Sequence, residues 1–442
     1  MIKPDPQQEK AIALMVQNKS FALDADIGAG KTLPAFLSIK HLMQHGYAHA
    51  NIVCTPSGRK QWLDKAKEYD PGIKLRVRGE PGWCETEGWN LIAYTDLSRM
   101  LDIDPKQEYM HRQHRQANST IVLLDESHSI KTWNSKRTRN VFSYYRRCAR
   151  KYIMTGTKIG KGLIDIYTQY RFLDIPGFPK TKAEFMSKYC VVDHQQYFTR
   201  SFRKIVGYKN IAELNHIMRR YSYWFQASKP SHRQETRHVE LTDEHRLAYE
   251  RMLLREILHP PDVLEWRRER DTTDILPAFL ARAKACRDLI RDGMPTVILY
   301  HYRAELPILQ QELAGHNYAL VSGGLTQKRK SEQVDLFQSG AALIMIAQIK
   351  TLTDSIDLHA GQRMIFTGPT WSLIDYQQAV GRISRRSQTR PTTDIMIVIK
   401  ETIDEKIQAV LRSRETTAES IKAQIEDTAR ARSYELSSKG LA

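Results

Sequence analysis

The sequence predicts an α/β chain built from two tandem parallel-sheet units with helical insertions. Three observations predict it. Short β-branched runs alternate with helical patterns through both halves. Thr/Gly turns follow several of the runs, where ligands gather at the carboxyl ends of parallel strands. One glycine loop closed by Lys31-Thr32 stands in the first half, and the second half has no counterpart.

That loop is Asp26-Ile27-Gly28-Ala29-Gly30-Lys31-Thr32. The apolar run Phe21-Ala22-Leu23 leads into it, and a helical pattern from Leu33 to Met43 follows. Strand, glycine turn, Lys-Thr and helix is the layout of a phosphate-binding loop. Glycines let backbone N–H groups turn inward around an anion, and the helix start adds its positive dipole end. Lys31 can reach β- and γ-phosphates, and the Thr32 hydroxyl can hold Mg²⁺. Ala25 stands where the pattern usually has its first glycine. Upstream, Pro6-Gln7-Gln8 opens a helix. Gln8 reads either as a surface residue or as an amide facing an adenine edge.

Composition narrows the partner. The chain has 442 residues, room for two or three domains, with 41% hydrophobic and 26% charged residues. Its net charge of +17 points to a polyanion, of which nucleic acid is the commonest. No apolar run is long enough to span a bilayer. Met1 to Pro6 lacks a signal-peptide core. The five cysteines are far apart and form no C-x-x-C pair. These features predict an intracellular, reduced, DNA-associated chain in the cytoplasm, with no membrane partner and no metal beyond nucleotide-bound Mg²⁺.

Asn51 to Cys54 forms an apolar strand ending at Thr55-Pro56, and a helix follows from Ser57 through Arg59. Leu91–Thr95 is another strand. Thr120–Leu124 runs into Asp125-Glu126-Ser127-His128. A strand ending in two carboxylates has a chemical use: Asp125 can hold the Mg²⁺ shell and Glu126 can polarise an attacking water. Lys151–Thr157 repeats the strand-then-turn pattern at Thr155-Gly156-Thr157.

From 179 to 229 aromatic and basic residues interleave. The expectation is a helical protrusion on the first unit, with some basic residues touching DNA. Lys229–His232 reads as a linker and Val239 as the start of the next unit. Residues 243–291 read as leading helices. Strands follow at Thr296–Tyr300, Ala319–Ser322, Ala342–Ala347, Arg363–Gly368 and Asp394–Ile399. Gln378, Arg382 and Arg385 stand at i, i+4 and i+7, which predicts one helix face presenting all three. Two guanidiniums on one face can brace a transferring phosphoryl group. The predicted divisions are 1–229, 230–412 and a polar helical tail over 413–442. One nucleotide loop for two units implies ATP bound between them.

The motif order resembles superfamily-2 helicases. Asp125-Glu126-Ser127-His128-Ser129-Ile130-Lys131, continuing to Ser135-Lys136-Arg137-Thr138, is similar to the Swi/Snf-type branch. So are Tyr170–Phe178 and Gly368-Pro369-Thr370-Trp371 ahead of Gln378–Gln388. Lys158 replaces the branch's usual proline. Ser355 and Asp357 replace its Gly and Asn in the turn that contains Asp354. The resemblance implies two RecA-like lobes with ATP and Mg²⁺ in the cleft between them. It implies that Gln8 contacts adenine. Gly28, Ala29, Gly30, Lys31 and Thr32 would hold phosphate, with Thr32 and Asp125 holding Mg²⁺. Glu126 would orient water. His128, Thr155, Gly156, Thr157, Asp354 and Gln378 would couple the lobes, and Arg382 and Arg385 would act across the cleft. DNA contacts are expected near Thr55, Pro56, Arg59 and Lys350. The implied activity is a monomeric, DNA-dependent ATPase moving along duplex or branched DNA in repair, recombination or replication. A strand-separating helicase, the motor subunit of a restriction or defence complex, and a non-hydrolysing DNA scaffold are the alternatives.

Overall fold

A computed structural model describes residues 2–80, 88–97, 119–156, 159, 162–197, 200–226, 230–247, 249, 276–352, 357–386 and 388–416. The chain folds as two compact units, 1–227 and 228–415.

The first unit is a seven-stranded sheet: β1 (Ser20–Ala25), β2 (His49–Cys54), β3 (Leu75–Val77), β4 (Gly88–Ala93), β5 (Thr120–Asp125), β6 (Arg150–Thr155) and, beyond a hairpin, β9 (Ser222–Phe225). The order is β3-β4-β2-β5-β6-β1-β9 and every pairing is parallel. Alternation with period two splits the core between the two faces. In β5, Val122 and Leu124 face one cluster, with the helices Lys136–Tyr145 and Ile164–Leu173. Ile121 and Leu123 face the other, with the helices Thr32–Gln44 and Gly58–Tyr69. Both faces are covered, so the strands read as continuous apolar runs.

The segment over 179–229 departs from the helical expectation. It holds two short helices, Lys182–Tyr189 and Ile211–Arg219. Between them β7 (Cys190–Tyr197) and β8 (Arg200–Tyr208) pair antiparallel, with a bulge at Val191/Val192. The β-branched Val191, Val192, Ile205 and Val206 favour extended backbone, whereas irregular aromatic spacing in the sequence suggested helix. β9 then joins the main sheet beside β1.

The second unit is a six-stranded, all-parallel sheet: β10 (His232–Val239), β11 (Thr296–Tyr300), β12 (Tyr318–Val321), β13 (Ile344–Gln348), β14 (Arg363–Phe366) and β15 (Thr392–Ile399). Its order is β10-β15-β14-β11-β13-β12. The linker expected at 229–232 gives way to strand at His232, and Val239 ends β10 instead of opening a unit. β10 is an edge strand of mostly polar residues, so its sequence carries no apolar signal. Leu276–Leu289 is helical, as is 243–247, within the span read as leading helices; 250–275 and the tail beyond 416 lie outside the described residues. Arg282 and Asp404 form an ion pair at 2.6 Å, 2% and 1% exposed, tying this helix to the closing helix over 403–416. No helix among the described residues is long and apolar enough to cross a membrane.

Candidate nucleotide site

In the first sheet β5, β6 and β1 lie side by side and parallel, so their carboxyl ends open on one edge. Asp125 pairs with Met154, and Asp24 with Thr155, in register. The Asp-Glu pair, the Thr-Gly turn and the glycine loop are thereby brought together although the loop lies far upstream of the other two in sequence.

The loop turns on Gly28 and Gly30, at φ +79° and +81°. Only these two need glycine's left-handed freedom. Ala25 completes regular β1 pairing with Phe225, so a glycine is not required there. Ala29 is buried and its N–H donates to the Asp26 carbonyl at 3.1 Å, closing the turn. Lys31 Nζ donates to the carbonyls of Ala25 (3.4 Å) and Asp26 (3.3 Å), folding over the loop. Thr32 begins the helix Thr32–Gln44 directly behind it. A Cβ on Gly156 would meet Ile27 Cγ1 at 2.6 Å and Lys31 Nζ at 3.2 Å. Glycine at 156 therefore lets β6 approach the loop and its lysine.

Gln8 is 3% exposed and caps its own helix reciprocally with Asp5. Its Nε2 also donates to the Gly30 carbonyl at 3.2 Å. The amide is held against the loop, which a plain surface glutamine would not be.

Asp125 is the best-buttressed acid. Trp62 Nε1 donates to Oδ2 at 2.8 Å and the Glu126 N–H to Oδ1 at 2.8 Å. Tyr94 OH donates to the Asp125 carbonyl at 2.9 Å. Burial, reinforced by the neighbouring Glu126 carboxylate, pushes Asp125 up to about 7, and the Trp62 bond and the Lys31 ammonium pull the other way. A divalent cation at this oxygen pair would favour the carboxylate strongly. Glu126 sits at φ +48°, a left-handed conformation uncommon outside glycine. Its Oε2 lies 3.2 Å from His128 Nδ1 and accepts from Thr155 Oγ1 at 3.3 Å. His128 Nδ1 and Thr155 Oγ1 are 3.2 Å apart, so the three form a closed triangle within this unit. Trp62 and Tyr94 had no role in the sequence reading. The available signal was chemical: an indole or phenol inside a core usually finds a polar partner.

Thr55, at the end of β2, accepts from the Gly58 N–H at 3.2 Å, and Pro56 is exposed. Arg59 is paired with Asp96, whose carboxylate also accepts from the Ala93 N–H. Its charge is thus partly compensated inside the unit.

In the second unit the helix Leu373–Ile383 carries Gln378 and Arg382, both buried. The expectation of three residues on one helix face is corrected, because the helix stops at Ile383 and Arg385 lies past the Ser384 cap. The reason lies in the terminal carbonyls. Arg385 Nε donates to Gly381 O at 2.9 Å, and Gln388 Nε2 to Ile383 O at 3.2 Å, so side chains replace the next helical turn. Arg382 Nε donates to Leu352 O at 2.9 Å and Arg385 Nη1 lies 3.5 Å from Asp357 Oδ2. The two arginines thus hold Leu352 and Asp357, between which residues 353–356 lie in sequence. Asp354 falls in that segment and Thr157 just past β6, both outside the described residues. Lys350 is exposed on the short helix Ile349–Leu352.

Two lobes, each built on an all-parallel main sheet, with a phosphate loop beside an Asp-Glu strand end in the first, define the two-lobed helicase-type ATPase class. Residues 7–290 match the SNF2-related domain, and 281–387 match the helicase conserved C-terminal domain. The chain belongs to the SNF2-related family, the Swi/Snf-type branch of superfamily-2 DNA-dependent ATPases. It is 21% identical over 429 residues to the Drosophila melanogaster SWI/SNF-related matrix-associated actin-dependent regulator of chromatin subfamily A-like protein 1, covering 93% of this chain and 55% of that protein. It is 22% identical over 229 residues to Helicase swr1 of Schizosaccharomyces pombe, covering 47% and 17%. The chain spans about half the length of the first of these relatives and less of the second. Among solved structures it is similar to the Sulfolobus solfataricus SWI2/SNF2 ATPase core in complex with dsDNA, with 18% identity, TM-score 0.45, and coverage of 100% and 96%.

Proposed function

We propose that the protein hydrolyses ATP, stimulated by DNA, to move along duplex or branched DNA in repair, recombination or replication. The observation that carries this is the convergence of Lys31, Asp125, Glu126 and Thr155 on one sheet edge, with Gly156 leaving space for the lysine.

The residues fit Mg²⁺-ATP. Two left-handed glycines and a helix N-terminus make an anion cradle, and Lys31 is already folded toward it. Lys31 would neutralise β- and γ-phosphate charge. Thr32 and Asp125 would hold Mg²⁺, which when bound screens phosphate charge during transfer. Gln8, fixed against Gly30, would present its amide to the base. Glu126 would take up the proton of the attacking water. The His128 and Thr155 contacts keep its carboxylate from swinging away. Arg382 and Arg385 would supply positive charge to the phosphates from the second lobe when ATP is bound between the lobes. Gln378, His128 and the Thr155–Thr157 and Asp354 turns would transmit that closure, and Thr55, Pro56, Arg59 and Lys350 would touch DNA phosphates.

The deciding experiment measures phosphate release with single-stranded, duplex and branched DNA in parallel. Stimulation by duplex or branched DNA above single strands is expected. No hydrolysis with or without any DNA would return the protein to the scaffold alternative.

A further inference from the structure

On the first unit, away from the nucleotide loop, lies a recess of about 780 Å³. It is built by the Lys136–Tyr145 helix, the start of β6 and the end of the Ile164–Leu173 helix. Five cationic side chains line it, Arg139, Arg146, Arg147, Lys151 and Arg171, against a single carboxylate, Asp174. Aromatic rings form its apolar wall. Trp133 packs edge-on to Phe142 at 5.3 Å, and Phe142 to Phe172 at 5.7 Å.

The charge is concentrated, not merely scattered over a basic surface. Lys151 is only 7% exposed, yet it carries an ammonium whose hydrogen bond to Arg146 O is long, at 3.3 Å. Burial lowers the Lys151 pKa, opposed by Asp174 and reinforced by the cations Arg171 and Lys180. Asp174 is drawn off by its own bonds to Arg171 (2.8 Å) and Lys180 (2.9 Å). Among the described residues no carboxylate pairs with Arg139, Arg146 or Arg147. A buried cation beside three such arginines favours an incoming anion.

We propose that this recess docks an acidic segment of a protein partner, with one aromatic or large apolar side chain seated against Trp133 and Phe142 and carboxylates on the arginines. The volume suits several side chains of a short segment, within the usual range for ligand pockets. Nucleic acid is the less fitting occupant on two grounds. Lys151 is the second residue of β6 and Thr155 its last, about 13 Å apart by strand rise, so the recess sits at the opposite end of the strand from the Thr-Gly turn beside the nucleotide loop. DNA moved by ATP turnover must follow segments that respond to nucleotide, and these gather at the carboxyl ends. The recess is also a single pit with an apolar wall, whereas backbone phosphates need an extended track.

The test uses the full chain and a fluorescein-labelled peptide of aspartates and glutamates around one phenylalanine, read by fluorescence polarisation at 0.15 M salt. The partner variant is Arg139→Glu with Arg147→Glu; both positions are exposed, and its fold is checked by circular dichroism and DNA-stimulated turnover. Saturable binding is expected, weakened about tenfold or more by the double variant and by Phe→Ser in the peptide. Turnover should be unchanged. Equal binding to the double variant, or indifference to the phenylalanine, overturns the proposal as plain charge attraction. Loss of DNA affinity in the double variant overturns it in favour of a nucleic-acid surface.

Discussion

Trp62 and Asp125 are joined by a 2.8 Å indole N–H to carboxylate bond across 63 residues of sequence. The indole is 1% exposed, so it cannot find another partner in water. It fixes which oxygen of Asp125 stays turned inward and lowers the cost of charging a buried acid. Trp62→Phe keeps the packing and removes the donor. Half-saturating Mg²⁺ in the ATPase assay should rise roughly tenfold or more, the scale for lost outer-shell support of a metal ligand. Excess Mg²⁺ should restore much of the rate, and EDTA should abolish it in both proteins. An unchanged Mg²⁺ titration would make Trp62 a packing residue only.

Lys31→Ala removes the ammonium that folds over the glycine loop. ATP hydrolysis should fall to background, while DNA binding survives because the remaining basic charge is untouched. Electrophoretic mobility shift and phosphate release on the same preparation check both halves. Near-normal turnover would contradict the site.

Glu126→Gln retains size and the contact to Thr155 but loses the charge that polarises water. Turnover should drop by about 10²–10⁴-fold, the range for a lost general base. ATP binding, read by a fluorescent analogue, should persist. Because Glu126 is held at φ +48°, Glu126→Gly should relieve backbone strain and raise the melting temperature while also abolishing turnover. A variant that neither binds ATP nor folds would make Glu126 structural.

What the sequence disclosed depended on how local the chemistry is. Gly28 to Thr32 and Asp125-Glu126 are contiguous, so residue type and order suffice. The Glu126, His128 and Thr155 triangle was legible as motifs but not as one hydrogen-bonded unit, because strand order alone brings β5 beside β6. Trp62 and Tyr94 reach Asp125 only through packing. β10 was missed because a solvent-facing edge strand of His, Arg, Gln and Glu has no apolar period to read. The end of the helix at Ile383 was hidden too. No Gly or Pro marks it, and the stop is made by the side chains of Arg385 and Gln388 bonding back to its carbonyls.

That stop separates the two arginines in their effects. Arg382 is 7% exposed and satisfies the Leu352 carbonyl, so Arg382→Ala should cost about 1–3 kcal/mol of stability, the scale for an orphaned buried acceptor. It should lower both melting temperature and turnover. Arg385 lies beyond the helix, so Arg385→Ala should lower turnover with a smaller change in melting. Assays well below both melting transitions separate folding from chemistry. Full activity in folded Arg385→Ala would remove it from the phosphate-facing set.

The choice between tracking duplex and parting strands is open to a direct contrast. The net charge of +17 favours contacts to phosphates, which carry no sequence information. Binding should therefore be indifferent to sequence and should weaken steeply with salt. Arg59 is already paired with Asp96, so Arg59→Ala should reduce DNA affinity only slightly. Duplex or branched DNA should stimulate ATP hydrolysis more than single strands do. ATP should drive displacement of a third strand from a triplex or movement of a branch point, with little unwinding of a blunt duplex. Strongest stimulation by single strands, together with processive unwinding of a tailed duplex, would assign the protein to strand separation instead.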